Sequence, residues 1–344
     1  MTRRPRCLLG PEVGRASDEP LRMLREAGVE LVVYPKAGRL TEADLLPLVS
    51  DVDAIIAGTE PITARVLDAA PRLRIVARRG VGLDSVDLEA ATARGVVVTV
   101  TAGVVADAVA DHTMALLLAV ARRIAWLDRR MKAGEWDRAV STDVWGKTLG
   151  LIGFGTIGRA VAKRAAGFGM EILAHDVAPD EAAARALGVQ LCTRDELLAR
   201  SDFISVHVPL LPSTRGLIDE ATLGRMKPGA ILINTSRGLV VDEAALLRAL
   251  QSGRLAGAGL DVFADEPPVD WTLVGLDQVV ATPHVASHTR ETLARMERAC
   301  AEAVLAVLRG ERPAHVANPE VYSTTRREAG AGAADGASEL FGKT

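Results

Sequence analysis

The sequence predicts an α/β protein with two doubly wound parallel-sheet domains. Short apolar runs alternate with helical patterns in two separate series, and a long apolar helical pattern lies between the series. The length agrees, because 344 residues exceed one typical core and fit two domains of roughly 100–200 residues each. Each series should therefore form its own sheet and its own core.

The first series runs from residue 7 to about residue 100. Its apolar runs are short, as expected of strands buried on both faces of a parallel sheet. We expect five strands, in CLLG, VELVVYP, DAIIAG, LRIVARRG and GVVVTV. Helix signals separate them: Asp18 precedes a helical segment that stops at Gly28, and Thr41 with Asp44 resembles a capping box.

A long helical pattern follows the first series, over ADAVADHTMALLLAVARRIAWLDRRMKAGEW. It is apolar at helical spacing for about eight turns, which predicts one connecting helix. The apolar residues along it include Met114, Leu117, Leu118, Val120 and Ile124. One side could pack on its own domain and another on a second subunit, or the helix could be purely intramolecular.

The second series begins at Thr148. We expect strands in TLGLIGFG, EILAHD, GVQLC, DFISVHVP, AILINTS, GAGLDVF and QVVATPH. Thr193 with Glu196 predicts a capping box, and Asp242 predicts another helix start. A long closing helix that ends at Gly310 should return to the first domain. Residues 323–344 are rich in Gly, Ala and Ser, which predicts a disordered tail.

Composition argues against several classes of partner. A net charge of −3 gives no basic surface for nucleic acid or an anionic membrane, so we expect small-molecule partners. No apolar run approaches the roughly 18 residues of a membrane span, and the basic start lacks the apolar segment of a signal peptide. Cys7, Cys192 and Cys300 are too widely spaced to predict a metal site. We expect buried thiols in a reducing, cytoplasmic compartment.

A glycine pattern in LGLIGFGTIGRAVAKRAAGFGMEILAHD predicts a dinucleotide site. Gly153, Gly155 and Gly158 form G-x-G-x-x-G directly after a strand and at the start of a helix. They would permit a tight turn, the approach of backbone amides to a pyrophosphate, and close packing of helix on strand. Asp176 ends the next strand, where it would bind a ribose and repel a 2′-phosphate, so NAD is favoured over NADP. The alternative is a glycine turn that serves packing alone.

Three loops after strands of the second series contain ionisable residues. Arg237 follows one strand, Asp261 and Glu266 lie around the next, and His284 follows the last. A histidine suits proton transfer to a hydroxyl, a carboxylate orients it, and an arginine can hold a substrate carboxylate. Singly, Arg237 could be a surface cation, Glu266 a turn residue and His284 an ordinary loop residue. Together they predict a 2-hydroxy or 2-oxo acid dehydrogenase.

The chain resembles the D-isomer-specific 2-hydroxyacid dehydrogenase family, in its phosphoglycerate dehydrogenase-like branch. The segments that resemble it are RRGVGLDSVDLEAATARGV, GFGTIGRAVAKRAAGFGM, DFISVHVPLLPSTRGLI, MKPGAILINTSRGLVVDE, GLDVFADEPP and TPHVASHT. The resemblance implies a flavodoxin-like substrate domain over residues 1–103 and 288–322. It also implies a Rossmann NAD domain over residues 104–287 and a homodimer formed by the NAD domains.

The resemblance further assigns residue roles. Arg237 would bind the substrate, His284 would be the acid and base, and Glu266 its carboxylate partner. The backbone around Val81 and Gly82 would hold the substrate carboxylate. The remaining residues would bind NAD: Gly153, Gly155 and Gly158 in the glycine loop, Thr156 and Ile157 at the pyrophosphate, Asp176 at the ribose, Asp261 at the carboxamide, and Val208, Thr235 and Ser236 along the cofactor.

The sequence departs from the family pattern at the expected substrate pocket. Val105 stands where many relatives have asparagine, which removes a polar contact. Phosphoglycerate dehydrogenases tend to have an arginine and a serine about where Gly58 and Thr59 stand, which argues against 3-phosphoglycerate as substrate. Arg78 or Arg79 could supply charge, but neighbours on a strand point to opposite faces, so at most one should reach the site.

We therefore expect an NAD-dependent oxidoreductase that transfers a hydride between nicotinamide and C2 of a small 2-hydroxy or 2-oxo acid. The alternative is an NAD-sensing, corepressor-like binding protein without metabolic turnover, because a fold does not fix a function. The second histidine of ATPHVASHT, His288, lies beside the helix cap residue Thr289 and is expected to be structural.

Overall fold

The structure is a computed structural model that describes residues 3–14, 16–34 and 40–323. The chain divides into two compact units. One unit takes the chain up to Val105 and from Arg290 onward, and the other is Ala106–Thr289. The expected domain boundaries lie two residues before each of these divisions. Apart from Ser323, the expected disordered tail lies outside the described residues.

The first unit contains a five-stranded parallel sheet, built from all five predicted segments. Its strands are β1 (Arg6–Leu9), β2 (Glu30–Val33), β3 (Ala54–Ala57), β4 (Ile75–Arg78) and β5 (Val97–Thr99). They are ordered β2-β1-β3-β4-β5. β3 and β4 are buried along their whole length, which explains their uninterrupted apolar sequences.

Four short helices connect these strands. They are α1 (Glu19–Glu26), α2 (Glu42–Leu45), α3 (Ala64–Asp68) and α4 (Leu88–Ala93). The predicted capping box at α2 is confirmed, since the Thr41 side chain accepts from the Asp44 amide and the Asp44 carboxylate accepts from the Thr41 amide. Asp18 precedes α1 as expected, but its side chain makes no capping bond.

The second unit contains a seven-stranded parallel sheet, again from all the predicted segments. Its strands are β6 (Thr148–Ile152), β7 (Glu171–His175), β8 (Gln190–Leu191), β9 (Phe203–Val206), β10 (Ala230–Asn234), β11 (Leu255–Leu260) and β12 (Val279–Ala281). Their order is β12-β11-β10-β9-β6-β7-β8, so the sheet changes direction between β6 and β9. The predicted fold class, two doubly wound parallel-sheet domains, is confirmed.

The helices of the second unit cover its sheet. They are α5 (Ala106–Ala121), α6 (Ile124–Lys132), α7 (Thr156–Ala166), α8 (Glu181–Leu187), α9 (Arg194–Arg200), α10 (Glu220–Arg225), the 3₁₀ turn Gly238–Val240 and α11 (Glu243–Gln251). The predicted capping box of Thr193 and Glu196 is confirmed at α9. Asp242 caps α11 as predicted, because its carboxylate accepts from the Ala245 amide at 3.0 Å.

The prediction of a single long connecting helix is wrong. The helix ends at Ala121, and α6 begins after Arg123, whose φ of 54° lies in the left-handed region. The Ala121 carbonyl accepts from the Thr142 amide at 3.1 Å. The Arg123 guanidinium lies 4.1 Å from the centre of the Trp126 ring. These contacts with later residues replace the next helical turn, and no Gly or Pro in the sequence signals them.

The break separates buried from exposed apolar residues. Met114, Leu117 and Val120 on α5 are buried in the core of their own unit, and Leu118 packs against it. Ile124, the first residue of α6, is 54% exposed. The apolar surface that we expected on one helix therefore belongs to α6 and not to α5.

The closing helix, α12 (Arg290–Leu308), belongs to the first unit, where it packs against α1 and β4. Gly310 follows it with a φ of 81°, a conformation that glycine adopts without strain. Cys300 and Val304 on this helix share a core with Cys7 of β1. Within the described ranges, every helix is too short or too polar to cross a membrane.

Candidate active site

The glycine loop between β6 and α7 is closed on one side and open on the other. A Cβ at Gly153 would lie 2.7 Å from the His207 carbonyl oxygen, and one at Gly158 would lie 2.3 Å from the carbonyl oxygen of Gly153. Neither position could accept a side chain without moving the backbone. At Gly155 no atom lies within 4 Å of the added Cβ. This open side, at the N-terminus of α7, fits the pyrophosphate of a dinucleotide.

Asp176 is fixed beside this loop. Its carboxylate accepts from the Phe154 amide at 2.7 Å and from the Ala178 amide at 2.9 Å. These bonds hold an acidic group at the end of β7, next to the strand that precedes the glycine loop, as the ribose prediction requires. Thr156 is exposed and Ile157 half-buried at the first turn of α7. Their roles at the pyrophosphate stay predictions.

His284, Glu266 and Arg237 come together in the second unit. Nδ1 of His284 lies 2.8 Å from Oε2 of Glu266, and both side chains are half-buried. Burial alone would raise the pKa of the Glu266 carboxyl, but His284, the Phe263 amide and the charge of Arg237 together lower it. Glu266 is therefore an ionised acceptor for the imidazole.

His288 is exposed, and its amide donates to the Val285 carbonyl in a turn.

Arg237 is positioned by its own tight turn. The buried Asn234, at the end of β10, accepts from the amide and the hydroxyl of Ser236 and donates to the carbonyl of Arg237 at 3.0 Å. The guanidinium of Arg237 donates to the Ser236 carbonyl at 2.7 Å. Gly238 follows, where a Cβ would lie 1.9 Å from the backbone of Phe263. Only glycine allows this approach, which brings the Arg237 turn against the loop that leads to Glu266.

Asp261 holds the loop that contains His284. It is completely buried at the end of β11. Its carboxylate accepts from the Thr282 hydroxyl at 2.6 Å, the Val285 amide at 2.9 Å and the Ala286 amide at 2.8 Å. Its carbonyl accepts from the His284 amide at 2.7 Å. His284 itself has a φ of 54°, in the left-handed region that histidine adopts more often than most residues other than glycine. The predicted contact of Asp261 with the carboxamide stays a prediction.

His112 on α5 extends this network, although it is not among the site residues predicted from the sequence. Its Nε2 lies 2.9 Å from the Thr282 hydroxyl and 3.5 Å from Asp261. Because the hydroxyl donates its only proton to Asp261, Nε2 of His112 must carry the proton and donate. Burial would raise the pKa of the Asp261 carboxyl, but bonds from His112, Thr282 and the loop amides lower it. The available signal was the polar pair His112 and Thr113 within an apolar helix; Thr113 contacts Thr235.

The predicted substrate loop lies in the first unit, directly after β4. Val81 is 40% exposed, and Gly82 is half-buried. Val105 is buried. In the second unit, Val208 and Ser236 are half-buried and Thr235 is buried at the carboxyl ends of their strands. The assigned contacts of these residues with substrate and cofactor stay predictions.

The two arginines of the first unit have different surroundings. Arg79 is buried and pairs with Glu12 at 2.9 Å, and its guanidinium lies 3.8 Å from the buried Glu297 on α12. The ion pair with Glu12 balances the charge of Arg79 within the unit. The guanidinium of Arg78 is also buried and donates to the Arg79 carbonyl at 2.9 Å.

Comparison with protein families gives one matching family model. It covers residues 114–286 and describes the NAD-binding domain of D-isomer-specific 2-hydroxyacid dehydrogenases. A glyoxylate reductase from Korarchaeum cryptofilum is 48% identical over 304 residues, which cover 86% of this chain and 92% of that protein. The match therefore spans nearly all of a curated relative.

Two other similar proteins show that the similarity extends beyond glyoxylate reductases. A D-3-phosphoglycerate dehydrogenase from Mycobacterium leprae is 47% identical over 270 residues, or 78% of this chain, but the chain spans only 51% of that protein. The crystal structure of a D-lactate dehydrogenase from Aquifex aeolicus, complexed with NAD and lactic acid, is 30% identical with a TM-score of 0.79. It covers 93% of this chain and 98% of its own.

Proposed function

Because the chain belongs to the D-isomer-specific 2-hydroxyacid dehydrogenase family, we propose that His284, Glu266 and Arg237 perform its reaction. The chain is an NAD-dependent oxidoreductase that transfers a hydride between nicotinamide and C2 of a small 2-hydroxy or 2-oxo acid, so this expectation is confirmed. The observation that supports the residue roles best is the 2.8 Å contact between Nδ1 of His284 and Glu266.

This contact gives the two ring nitrogens of His284 different roles in the proposal. The ionised Glu266 accepts from Nδ1 and stabilises the imidazolium, so Nε2 is the nitrogen that exchanges a proton with the substrate. In the reductive direction, C2 of the 2-oxo acid receives the hydride and its carbonyl oxygen receives the proton from Nε2. In the oxidative direction, Nε2 takes the hydroxyl proton. Bound NADH supplies the hydride, and NAD⁺ accepts it in reverse.

The other proposed residues hold the reactants. Arg237 of the second unit binds the substrate carboxylate through two nitrogens and polarises the adjoining carbonyl. In the first unit, we propose separately that the backbone around Val81 and Gly82 binds the substrate carboxylate. The open side of the glycine loop holds the pyrophosphate. Asp176 accepts from the ribose hydroxyls and repels a 2′-phosphate.

The decisive experiment is His284→Gln with His288→Gln as its matched control. Purified protein is assayed with NADH and a panel of 2-oxo acids. His284→Gln should lower kcat by roughly 10²–10⁴-fold, because it removes a general acid, while NADH affinity stays the same. His288→Gln should keep activity within about twofold, since its side chain has no proposed role. An unimpaired His284→Gln enzyme would refute the assigned role. Tight NADH binding by a wild-type protein that turns over no acid would favour the corepressor-like alternative.

We further propose that the chain forms a homodimer through the second unit. A row of exposed apolar side chains follows the break at Arg123: Ile124, Met131, Trp136, Val140 and Trp145. A groove of about 400 Å³ lies beside them, lined in part by Trp126 and Val140. Burying such side chains favours association. Light scattering should give twice the chain mass of 36.3 kDa. Trp136→Ser should shift this to the monomer and Trp271→Ser, on another exposed loop, should not.

The expected cytoplasmic location, and the expected lack of nucleic-acid and membrane partners, stay proposals. The net charge of −3 supports the expected lack of nucleic-acid and membrane partners, because it provides no basic field for polyanions. Fractionation of cells that express the chain would test the location.

A further inference from the structure

Glu60, in the loop after β3, is a buried acid without a structural partner for one of its oxygens. It is 7% exposed, and within the described part of the chain no group donates a hydrogen bond to its Oε2. The equally buried Asp53 of the same unit accepts from the Arg6 amide and from Arg3. A buried carboxyl oxygen without a donor costs free energy, because it has lost its hydrogen bonds to water. Such a group calls for a donor from a bound molecule.

The carboxyl of Glu60 lies at the position where α/β sheets bind ligands. A Cβ at Gly10 would lie 2.7 Å from its Oε1, and one at Gly58 would lie 3.2 Å from its Oε2. Gly10 follows β1 and Gly58 follows β3, and these neighbouring strands flank the point at which the strand order reverses. Ligand sites of open parallel sheets form outside the carboxyl ends of strands at this point. Two glycines therefore make room for the Glu60 carboxyl at the ligand-binding edge of the sheet.

The loop of Glu60 is also joined to the proposed substrate-carboxylate loop after β4. The Arg79 amide donates to the Ala57 carbonyl at 2.7 Å, and the Ile62 amide donates to the Ser85 carbonyl at 2.8 Å. These two bonds tie the loops together at both ends. The loop of Glu60 and the proposed substrate-carboxylate loop are therefore neighbours at this edge of the sheet.

We propose that Glu60 is a specificity-determining residue that accepts a hydrogen bond from a hydroxyl on C3 of the substrate and repels a phosphate at that position. The inference rests on the proposed function, which places the substrate carboxylate at Val81 and Gly82. C3 is two bonds from the carboxylate carbon, so its substituent reaches the adjoining loop. The preferred substrates are then short, unphosphorylated 2-oxo acids with a hydroxyl at C3. Arg78, the nearest cation by strand position, is bonded to the backbone of its own loop.

The test compares kcat/KM for hydroxypyruvate, pyruvate and 3-phosphohydroxypyruvate with NADH. The wild-type protein should prefer hydroxypyruvate. Glu60→Leu should lower the ratio of hydroxypyruvate to pyruvate at least about tenfold, because it removes the acceptor for the C3 hydroxyl. Glu60→Gln should raise the ratio of 3-phosphohydroxypyruvate to pyruvate about tenfold, because it removes a negative charge near the phosphate. Glu89→Gln, at an exposed position on α4, is the control and should change neither ratio.

Thermal unfolding separates a binding role from a structural one. Glu60→Gln should leave Tm unchanged or raise it, since Oε2 of Glu60 has no donor to lose; a structural glutamate would give a lower Tm. Unchanged kcat/KM ratios in both Glu60 variants would overturn the inference. A wild-type preference for 3-phosphohydroxypyruvate that depends on Arg78 would also overturn it. Neither outcome would affect the role of His284 that His284→Gln tests. Inactivity of the wild-type protein on all three acids would overturn the proposed function and this inference with it.

Discussion

Asp261 of the second unit and Glu60 of the first are both buried acids just beyond a parallel strand, yet their surroundings are opposite. Asp261 accepts from one hydroxyl and two loop amides. Glu60 has no donor at Oε2 among the described residues. The fold supplies donors to both carboxylate oxygens of Asp261, and these bonds fix the loop of His284. The second acid is left for a ligand. The two acids thus differ in how many hydrogen-bond donors the fold supplies to the carboxylate.

The strongest test of this contrast is Asp261→Asn. The amide replaces one acceptor by a donor, so at least one loop amide loses its partner and faces another N–H group. We expect the free energy of unfolding to fall by about 2–4 kcal/mol and kcat by about 100-fold. Calorimetry and steady-state kinetics measure these two effects. Glu60→Gln is expected to keep or raise Tm. An Asp261→Asn variant that is as stable as the wild-type protein would therefore contradict the contrast between the two acids.

A smaller effect should follow when the bridge between His112 and Asp261 is cut. Thr282→Val keeps the shape of the side chain but removes the hydroxyl that accepts from Nε2 of His112 and donates to Asp261. We expect kcat to fall about tenfold with NADH affinity nearly unchanged, because the loop of His284 is less well held. Thr272→Val, at an exposed loop position, is the matched control. Equal kinetics for both variants would show that the bridge does not position His284.

Glu297 is a third buried acid and gives the smallest expected effect. Neither of its carboxyl oxygens has a hydrogen-bond donor among the described residues. Burial raises the pKa of the carboxyl, and the charge of Arg79 only partly opposes this. The folded protein then keeps the proton at pH values at which the unfolded chain has lost it. Stability should be constant below the ordinary pKa of 4.5 and fall as the pH rises from there toward the folded value.

Glu297→Gln should remove this slope, which urea unfolding at a series of pH values from 4 to 8 would reveal. Glu291→Gln on the same helix is exposed and should keep the slope. If the free energy of unfolding of Glu297→Gln still falls with pH, the Glu297 carboxyl is not the group that causes the pH dependence.

The sequence predicted what depends on local pattern. The twelve strands of the described residues and the glycine loop follow from apolar runs and glycine spacing, and Arg237, Glu266 and His284 lie in the loops that were predicted after strands. The break at Arg123 could not be predicted, because the Ala121 carbonyl finds its partner some twenty residues further along. His112 and Glu60 were missed for a related reason. The function of a buried polar side chain depends on which donors the fold brings to it, and those donors are distant in sequence.

The backbone of His284 has a consequence for how this position can vary. A non-glycine residue in the left-handed region costs about 1 kcal/mol, and asparagine and glycine tolerate the region best. His284→Asn should keep this backbone conformation but lose the contact with Glu266, and turnover with it. Few residues can therefore occupy this position, because the side chain must tolerate a left-handed backbone and also transfer a proton.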